Sequence, residues 1–149
     1  MNISFDSKDI AMPPLLPDRV SEWLAAVARS RGCDVLRLQY LFCDDEEILR
    51  VNREFLNHDY YTDIITFDYS ASGRLAGDMV ISLDTVGSNA AGLGESGRRE
   101  LLRVIVHGLL HLCGINDKGP GEREIMEAAE NAALSMISVD DMFENSDLK

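Results

Sequence analysis

The chain alternates between stretches of helical and of extended hydrophobic period. Residues 18–31 place Val20, Trp23, Leu24 and Val27 on one stripe, behind Pro13, Pro14 and Pro17 and ahead of Gly32, which predicts an amphipathic helix. Residues 34–43 switch to a period of two, with Leu36, Leu38, Tyr40 and Phe42 on one face, the pattern of a half-buried strand. Met1 to Asp6 reads as a short first strand. Asp44 followed by Glu47 resembles an acidic capping box and opens a helix to about Phe55, with Ile48, Val51 and Phe55 as its buried stripe. Asn57-His58-Asp59 is loop-like, and residues 62–69 are β-branched and aromatic, with Ile65, Phe67 and Tyr69 on one face. A turn at Ser70 to Gly73 then predicts a hairpin into a strand near 77–83.

The second half reads as helices. One runs from Asp84 to about Gly92, and Ser96 caps the next, which continues to about Cys113. That helix is apolar nearly all round, through Leu101, Leu102, Val104, Ile105, Val106, Leu109, Leu110 and Leu112, so it is expected to be the central buried helix. Gly114 stops it. A last helix, 122–137, is expected to turn Ile125, Ala129, Ala132 and Met136 to the core, and the polar residues 139–149 read as a frayed acidic tail. The element order predicts an α+β fold: a single domain over residues 1–138 with a small mixed β-sheet packed with about five helices.

Composition agrees with one domain: 149 residues, 46% hydrophobic and 27% charged, are enough for a core without staples. The net charge of −12 excludes a general nucleic-acid binder, because non-specific binding rests on neutralising phosphates. A local patch remains open to it: Arg98, Arg99 and Arg103, or Arg50 and Arg53, either line a groove or are solvated faces and pairs with Glu54, Glu95 and Glu100. Three cysteines without CxxC spacing, Cys33, Cys43 and Cys113, read as reduced thiols, and Cys113 as a core thiol. With no signal-like start and no apolar run of about 18 residues, a cytoplasmic protein without membrane association is expected.

The chemistry concentrates in His107-Gly108-Leu109-Leu110-His111-Leu112-Cys113-Gly114-Ile115-Asn116-Asp117. His107 and His111 stand one helical turn apart on the same face, so both imidazoles can reach one cation. Gly114 reverses the chain and lets Asp117 swing back as a third ligand. The alternative is a pair of core histidines with hydrogen-bonded tips. Uncompensated burial of two imidazoles on so apolar a helix is costly, which favours a ligand role. One divalent metal is expected, zinc first; two histidines and a carboxylate also suit iron(II) and other divalent ions. Position 108 is glycine, not the glutamate that a zincin uses as general base, so a peptidase mechanism is disfavoured; the glycine instead permits close approach of another segment.

Residues 107–117 also resemble the signature H-G-x-L-H-L-x-G-Y-D-H of the YbeY family of bacterial rRNA maturation factors, metal-dependent endoribonucleases. Three further blocks agree in order: Asn52, Phe55 and Asp59 with N-x-x-[FY]-R-x-x-D; Thr62-Asp63-Ile64-Ile65-Thr66-Phe67 with T-[DN]-V-L-S-F; and Gly77-Asp78-Met79-Val80-Ile81-Ser82 with G-D-I-V-I-S. The resemblance spans about residues 35–135. It implies a single-strand-specific endoribonuclease that matures the 3′ end of small-subunit rRNA and takes part in late-stage ribosome quality control. The implied partners are RNA, ribosomal proteins and a ribosome-assembly GTPase. Two positions depart: the third metal histidine of the family falls on Asp117, and its arginine, thought to serve RNA handling or catalysis, falls on Leu56.

Among the other candidates, Asp63 and Asp78 are either partners that orient a histidine or turn caps. Lys118 is either a phosphate contact or a solvated loop lysine, and His58 reads as surface. The general base is not legible. A non-catalytic ribosome-assembly module with a structural metal, and a metallohydrolase of small substrates, are the alternatives; the acidic charge and Leu56 favour the module.

Overall fold

The computed structural model describes residues 2–58 and 62–144. Four strands, β1 (Asn2–Ser7), β2 (Asp34–Cys43), β3 (Ile64–Asp68) and β4 (Arg74–Ser82), form one sheet in the order β1-β2-β4-β3. β1–β2 and β2–β4 are parallel, and β3–β4 is an antiparallel hairpin. Five α-helices complete the fold: α1 (Pro17–Ser30), α2 (Asp45–Leu56), α3 (Leu83–Leu93), α4 (Gly97–Leu112) and α5 (Glu122–Leu134), followed by a short 3-10 turn at Val139–Met142. The fold is therefore α+β with a mixed sheet, as the element order predicts.

The sheet is covered unequally because its strands alternate their apolar residues between the faces. Leu38, Tyr40, Phe42, Leu75, Met79 and Ile81 face the main core with α1, α4 and α5. Val80, Ile65 and Cys43 turn to the other face, where Ile48 and Val51 of α2 cover them. Asp44 caps α2 through its side chain, accepting from Glu47 N at 2.9 Å, as the acidic capping pattern implies. The Tyr40 hydroxyl, fully buried, donates to the Ile105 carbonyl at 2.9 Å and ties the sheet to α4. Trp23 Nε1 donates to the Ala133 carbonyl at 2.9 Å and ties α1 to α5.

Four sequence expectations are corrected. Leu36 is 47% exposed, because a β-bulge between Val35 and Arg37 shifts the register and turns Val35 toward the core in its place. Phe55 is not buried; only the first turns of α2 lie over the sheet, and Phe55 meets Phe67 edge-on at 6.1 Å on the rim. In α5 the inward stripe is Met126, Ala129, Glu130, Ala133 and Leu134, while Ile125 (59%) and Met136 (48%) are exposed. The chain from residue 139 does not fray up to Glu144: Met142 and Phe143 are buried, Leu15 and Phe143 form an antiparallel bridge, and Leu16 N and Glu144 N donate to Met142 O and Pro14 O, each at 2.8 Å. Residues 145–149 of the predicted tail, Met1 of the first strand and Asp59 of the loop lie outside the described residues.

Candidate active site

α4 carries both histidines. Ser96 starts it by accepting from Arg99 N at 3.1 Å, and its apolar residues are buried on most of its circumference. Gly108 lies where α4 crosses the sheet, and a Cβ there would stand 2.9 Å from Ile64 Cδ1 and 3.0 Å from Met79 Cγ. The glycine thus serves close helix–sheet approach, as expected. Gly114 adopts φ 98°, and Gly114 N and Ile115 N return to the carbonyls of His111 and Leu110 at 3.0 and 3.2 Å. That reversal carries Asp117 back toward α4, and Gly119 N, donating to Glu122 Oε1 at 2.6 Å, holds the far side of the loop.

His107 Nε2 and Asp117 Oδ2 are 3.3 Å apart, and His107, His111 and Asp117 line one cavity of about 240 Å³. Among the described residues no three His, Cys, Asp or Glu side chains converge closely enough to hold an ion as they stand. The cavity is closed by Asn52, Leu56 and His58 from the end of α2, Thr62 to Thr66 around β3, and Lys118. The position of the family arginine, Leu56, thus faces the same cavity as the histidines, and His58 lines it too.

Behind His107 stands a residue absent from the sequence expectations. Glu130 of α5, 2% exposed, places Oε2 2.6 Å from His107 Nδ1. Its other oxygen accepts from Arg103 Nη1 at 3.0 Å, and Arg103 Nε donates to the buried Glu100 at 2.8 Å. Burial alone would lower the His107 pKa; the hydrogen bond to Glu130, with the charges of Glu130, Asp117 and Asp63, outweighs it and raises the pKa above the ordinary imidazole value. Glu130 shares the inward stripe of α5 with Met126, Ala129, Ala133 and Leu134, a placement that the rotation of the helix decides.

The two aspartates offered as orienting partners separate. Asp63 belongs to the site: it lines the cavity, accepts from Asn89 Nδ2 at 3.2 Å, and is raised above the carboxylate range chiefly by burial. Asp78 lies in the cleft on the opposite face of the sheet and pairs with Arg37 at 2.9 Å. Neither proposed arginine groove forms around the histidines. Arg50 pairs with Glu47 at 2.8 Å and with Glu54, and Arg53 borders the same surface beside α2. Arg98 pairs with Asp140 at 3.0 Å, and Arg99 lies 3.6 Å from Glu95. Arg50, on α2, and Arg98 and Arg99, at the start of α4, are engaged by acidic neighbours one helical turn away or from the folded C-terminal segment. Arg103 alone of that cluster reaches the histidine region, and it does so through the buried carboxylates. Cys113 packs partly buried against the core and does not line the histidine cavity, and burial, followed by its neighbour Cys33, pushes its thiol up to about 12.

A sheet with two parallel pairs and one antiparallel hairpin, a helix bearing an i, i+4 histidine pair, and an acidic loop folded back on that helix make a small α+β domain with a polar cavity beside the edge strand β3. The family profile described as Endoribonuclease YbeY matches residues 2–138. The chain is 56% identical over 137 residues to a protein named Endoribonuclease YbeY from Phocaeicola vulgatus, covering 92% of this chain and 99% of that one. It is 55% identical to another of that name from Bacteroides thetaiotaomicron, covering 91% and 99%. The fold is similar to the solution structure of a Thermotoga maritima protein, with a TM-score of 0.64 and 23% identity over 90% of each chain. The chain belongs to the YbeY endoribonuclease family.

Proposed function

We propose that the chain cleaves single-stranded RNA with a divalent metal, zinc first, held by His107, His111 and Asp117, and that its substrate is small-subunit rRNA. As a member of the endoribonuclease family it is an enzyme acting on RNA phosphodiester bonds. The observation that carries the metal reading is the shared cavity, in which His107 Nε2 faces Asp117 at 3.3 Å while His107 Nδ1 is tied from behind and His111 follows one turn on. Two imidazoles and a carboxylate are a donor set for zinc or iron(II). The surroundings fit a cation as well: Asp63, Asp117, Glu127 and Glu130 outnumber Arg103 and Arg123 around His107. The metal, when bound, supplies a polarised scissile phosphate and a water of lowered pKa.

The chain's own residues do the rest. Lys118 lines the cavity and is the cationic side chain available there to a substrate phosphate. Asp63, half-buried at the cavity wall and held by Asn89, is placed to take a proton from a water that enters. Leu56 and Ile64 give the cavity an apolar side that accepts an unpaired base more readily than a second phosphate. Ribosomal proteins and an assembly GTPase are partners consistent with such a substrate.

The test pairs elemental analysis with cleavage of a defined 3′ fragment of small-subunit rRNA. The expected result is about one metal per chain and cleavage in the wild type, both lost in His111→Ala. Full metal occupancy in His111→Ala would overturn the ligand set. Metal binding without cleavage would favour an assembly module with a structural ion.

A further inference from the structure

We propose that Glu130 is a positioning residue for His107: its buried carboxylate holds the ring so that Nδ1 carries the proton and Nε2 directs its lone pair toward Asp117. The inference rests on the metal reading above and extends it to the residue that prepares the ligand. A carboxylate accepts hydrogen bonds and cannot donate them, so the 2.6 Å contact to Glu130 Oε2 places the proton on Nδ1. Asp117 stands farther off, 3.3 Å from Nε2, so the shorter contact at Nδ1 decides where a neutral ring keeps its one proton and leaves the lone pair on Nε2.

Glu130 is itself held. Arg103 Nη1 donates to its Oε1 at 3.0 Å, and Arg103 is anchored at its other side by Glu100, itself 1% exposed. Glu100, Arg103 and His107 occupy one stripe of α4 at spacings of three and four, so a single face of that helix meets the one carboxylate that α5 turns inward. Holding α5 in place does not require this arrangement. Met126, Ala129, Ala133 and Leu134 are buried there, and the Trp23 Nε1–Ala133 hydrogen bond already anchors the helix. Arg103 needs only one oxygen of Glu130. The second oxygen, aimed at Nδ1 and shielded from water, acts on the ring. Burying a carboxylate is expensive even when it is paired, and an apolar residue would pack the same stripe without that penalty. Carboxylates that receive the second N–H of a ligand histidine typically change metal affinity by about 10- to 100-fold.

The experiment uses the full chain and the isosteric variant Glu130→Gln. In the metal-free wild type, 15N spectra of the His107 ring, at a pH where it is neutral, are expected to show the Nδ1–H tautomer. In Glu130→Gln, whose amide can also donate, the Nε2–H tautomer should become populated, and zinc affinity in a chelator competition should fall about 10- to 100-fold. A purely structural role would lower the melting temperature without moving the tautomer. An Nε2–H tautomer in the wild type would overturn the proposal, as would an unchanged tautomer and zinc affinity in Glu130→Gln. The wild-type spectrum needs no variant, so it decides the matter if Glu130→Gln fails to fold. It also needs no metal: if the wild type binds no zinc, the metal reading fails, while the tautomer still reports what Glu130 does.

Discussion

Gly108 and Ile64 touch across the junction of α4 and β3, with room for a hydrogen and none for a methyl group: a Cβ on Gly108 would lie 2.9 Å from Ile64 Cδ1. Ile64 lines the same cavity as His107 and His111, so this contact bears on the shape of the site. Gly108→Ala gains roughly 1 kcal/mol of helix propensity. It loses about 1–3 kcal/mol to overpacking, since Met79 Cγ stands behind at 3.0 Å. A net loss of about 1 kcal/mol is expected in urea unfolding, together with weaker metal binding as β3 is pushed from the helix. A variant as stable as the wild type, with the same metal affinity, would show that the contact yields freely.

The acid side of the stability profile is expected to depend on Glu47. Its hydrogen bond to Arg50 comes first, opposed by burial and aided by Lys8 at 3.1 Å, and the carboxyl is held at about 2, against an ordinary 4.5. The folded state therefore binds this proton less readily than the unfolded chain. The resulting stabilisation is complete above about pH 4.5 and fades as pH falls toward about 2. Glu47→Gln should be less stable than the wild type at pH 7, with the gap closing from pH 5 downward. A gap independent of pH would assign the effect to packing.

Lys118 and Arg50 should behave oppositely. Lys118→Ala removes the cation that lines the histidine cavity and is expected to lower RNA cleavage about tenfold, the equivalent of roughly 1.4 kcal/mol, with metal content intact. Arg50→Ala removes an exposed side chain already engaged by Glu47 and Glu54 and should leave cleavage and its salt dependence unchanged. Reversed effects in single-turnover assays would relocate the RNA path to the α2 surface.

Deletion of residues 139–149 should destabilise the protein by several kcal/mol. Phe143 is buried beneath the Arg98 guanidinium, 4.9 Å from the ring centroid, and the segment bonds to Pro14 and Leu16 ahead of α1. Losing a buried phenylalanine alone costs about 3–5 kcal/mol. A truncated chain that melts with the full-length one would return the segment to the status of a loose tail.

Which features were legible follows from their range along the chain. His107, His111 and Asp117 are joined by helix spacing and one glycine turn, both of which are local, so the sequence places them together. Glu130 reaches His107 across two helices, and its recognition depended on the rotation of α5. A stripe of Ile125, Ala129, Ala132 and Met136 turns Glu130 to solvent; the packed helix is rotated so that Met126, Ala133 and Leu134 join Ala129 inward, bringing Glu130 with them and leaving Ile125 and Met136 exposed. Residues 139–143 misled in the same way, since Met142 and Phe143 are two apolar side chains among acidic ones and only the groove beside Leu15 and Arg98 gives them a seat. The local arginine pairs were legible, Arg50 with Glu54, Arg99 with Glu95 and Arg103 with Glu100, whereas Arg98 with Asp140 and Arg103 with Glu130 join segments far apart in the chain and depend on packing.

The strand order carries a consequence for how the chain comes together during synthesis. β3 and β4 are joined by a short turn and can pair as soon as both exist, whereas β2 must wait for β4, with α2 and β3 lying between them in the chain. Until Ser82 has emerged, β1 and β2 can pair only as a two-stranded parallel ribbon whose other edge, Asp34 to Cys43, is open, a state too small to persist alone. The sheet therefore closes late, around the β3–β4 hairpin, and the histidine helix that follows arrives on a surface only just completed. Substitutions at Gly77, where a Cβ would meet the Phe67 carbonyl at 3.0 Å and Leu112 Cδ1 at 2.9 Å, would slow that closure before they altered the finished site.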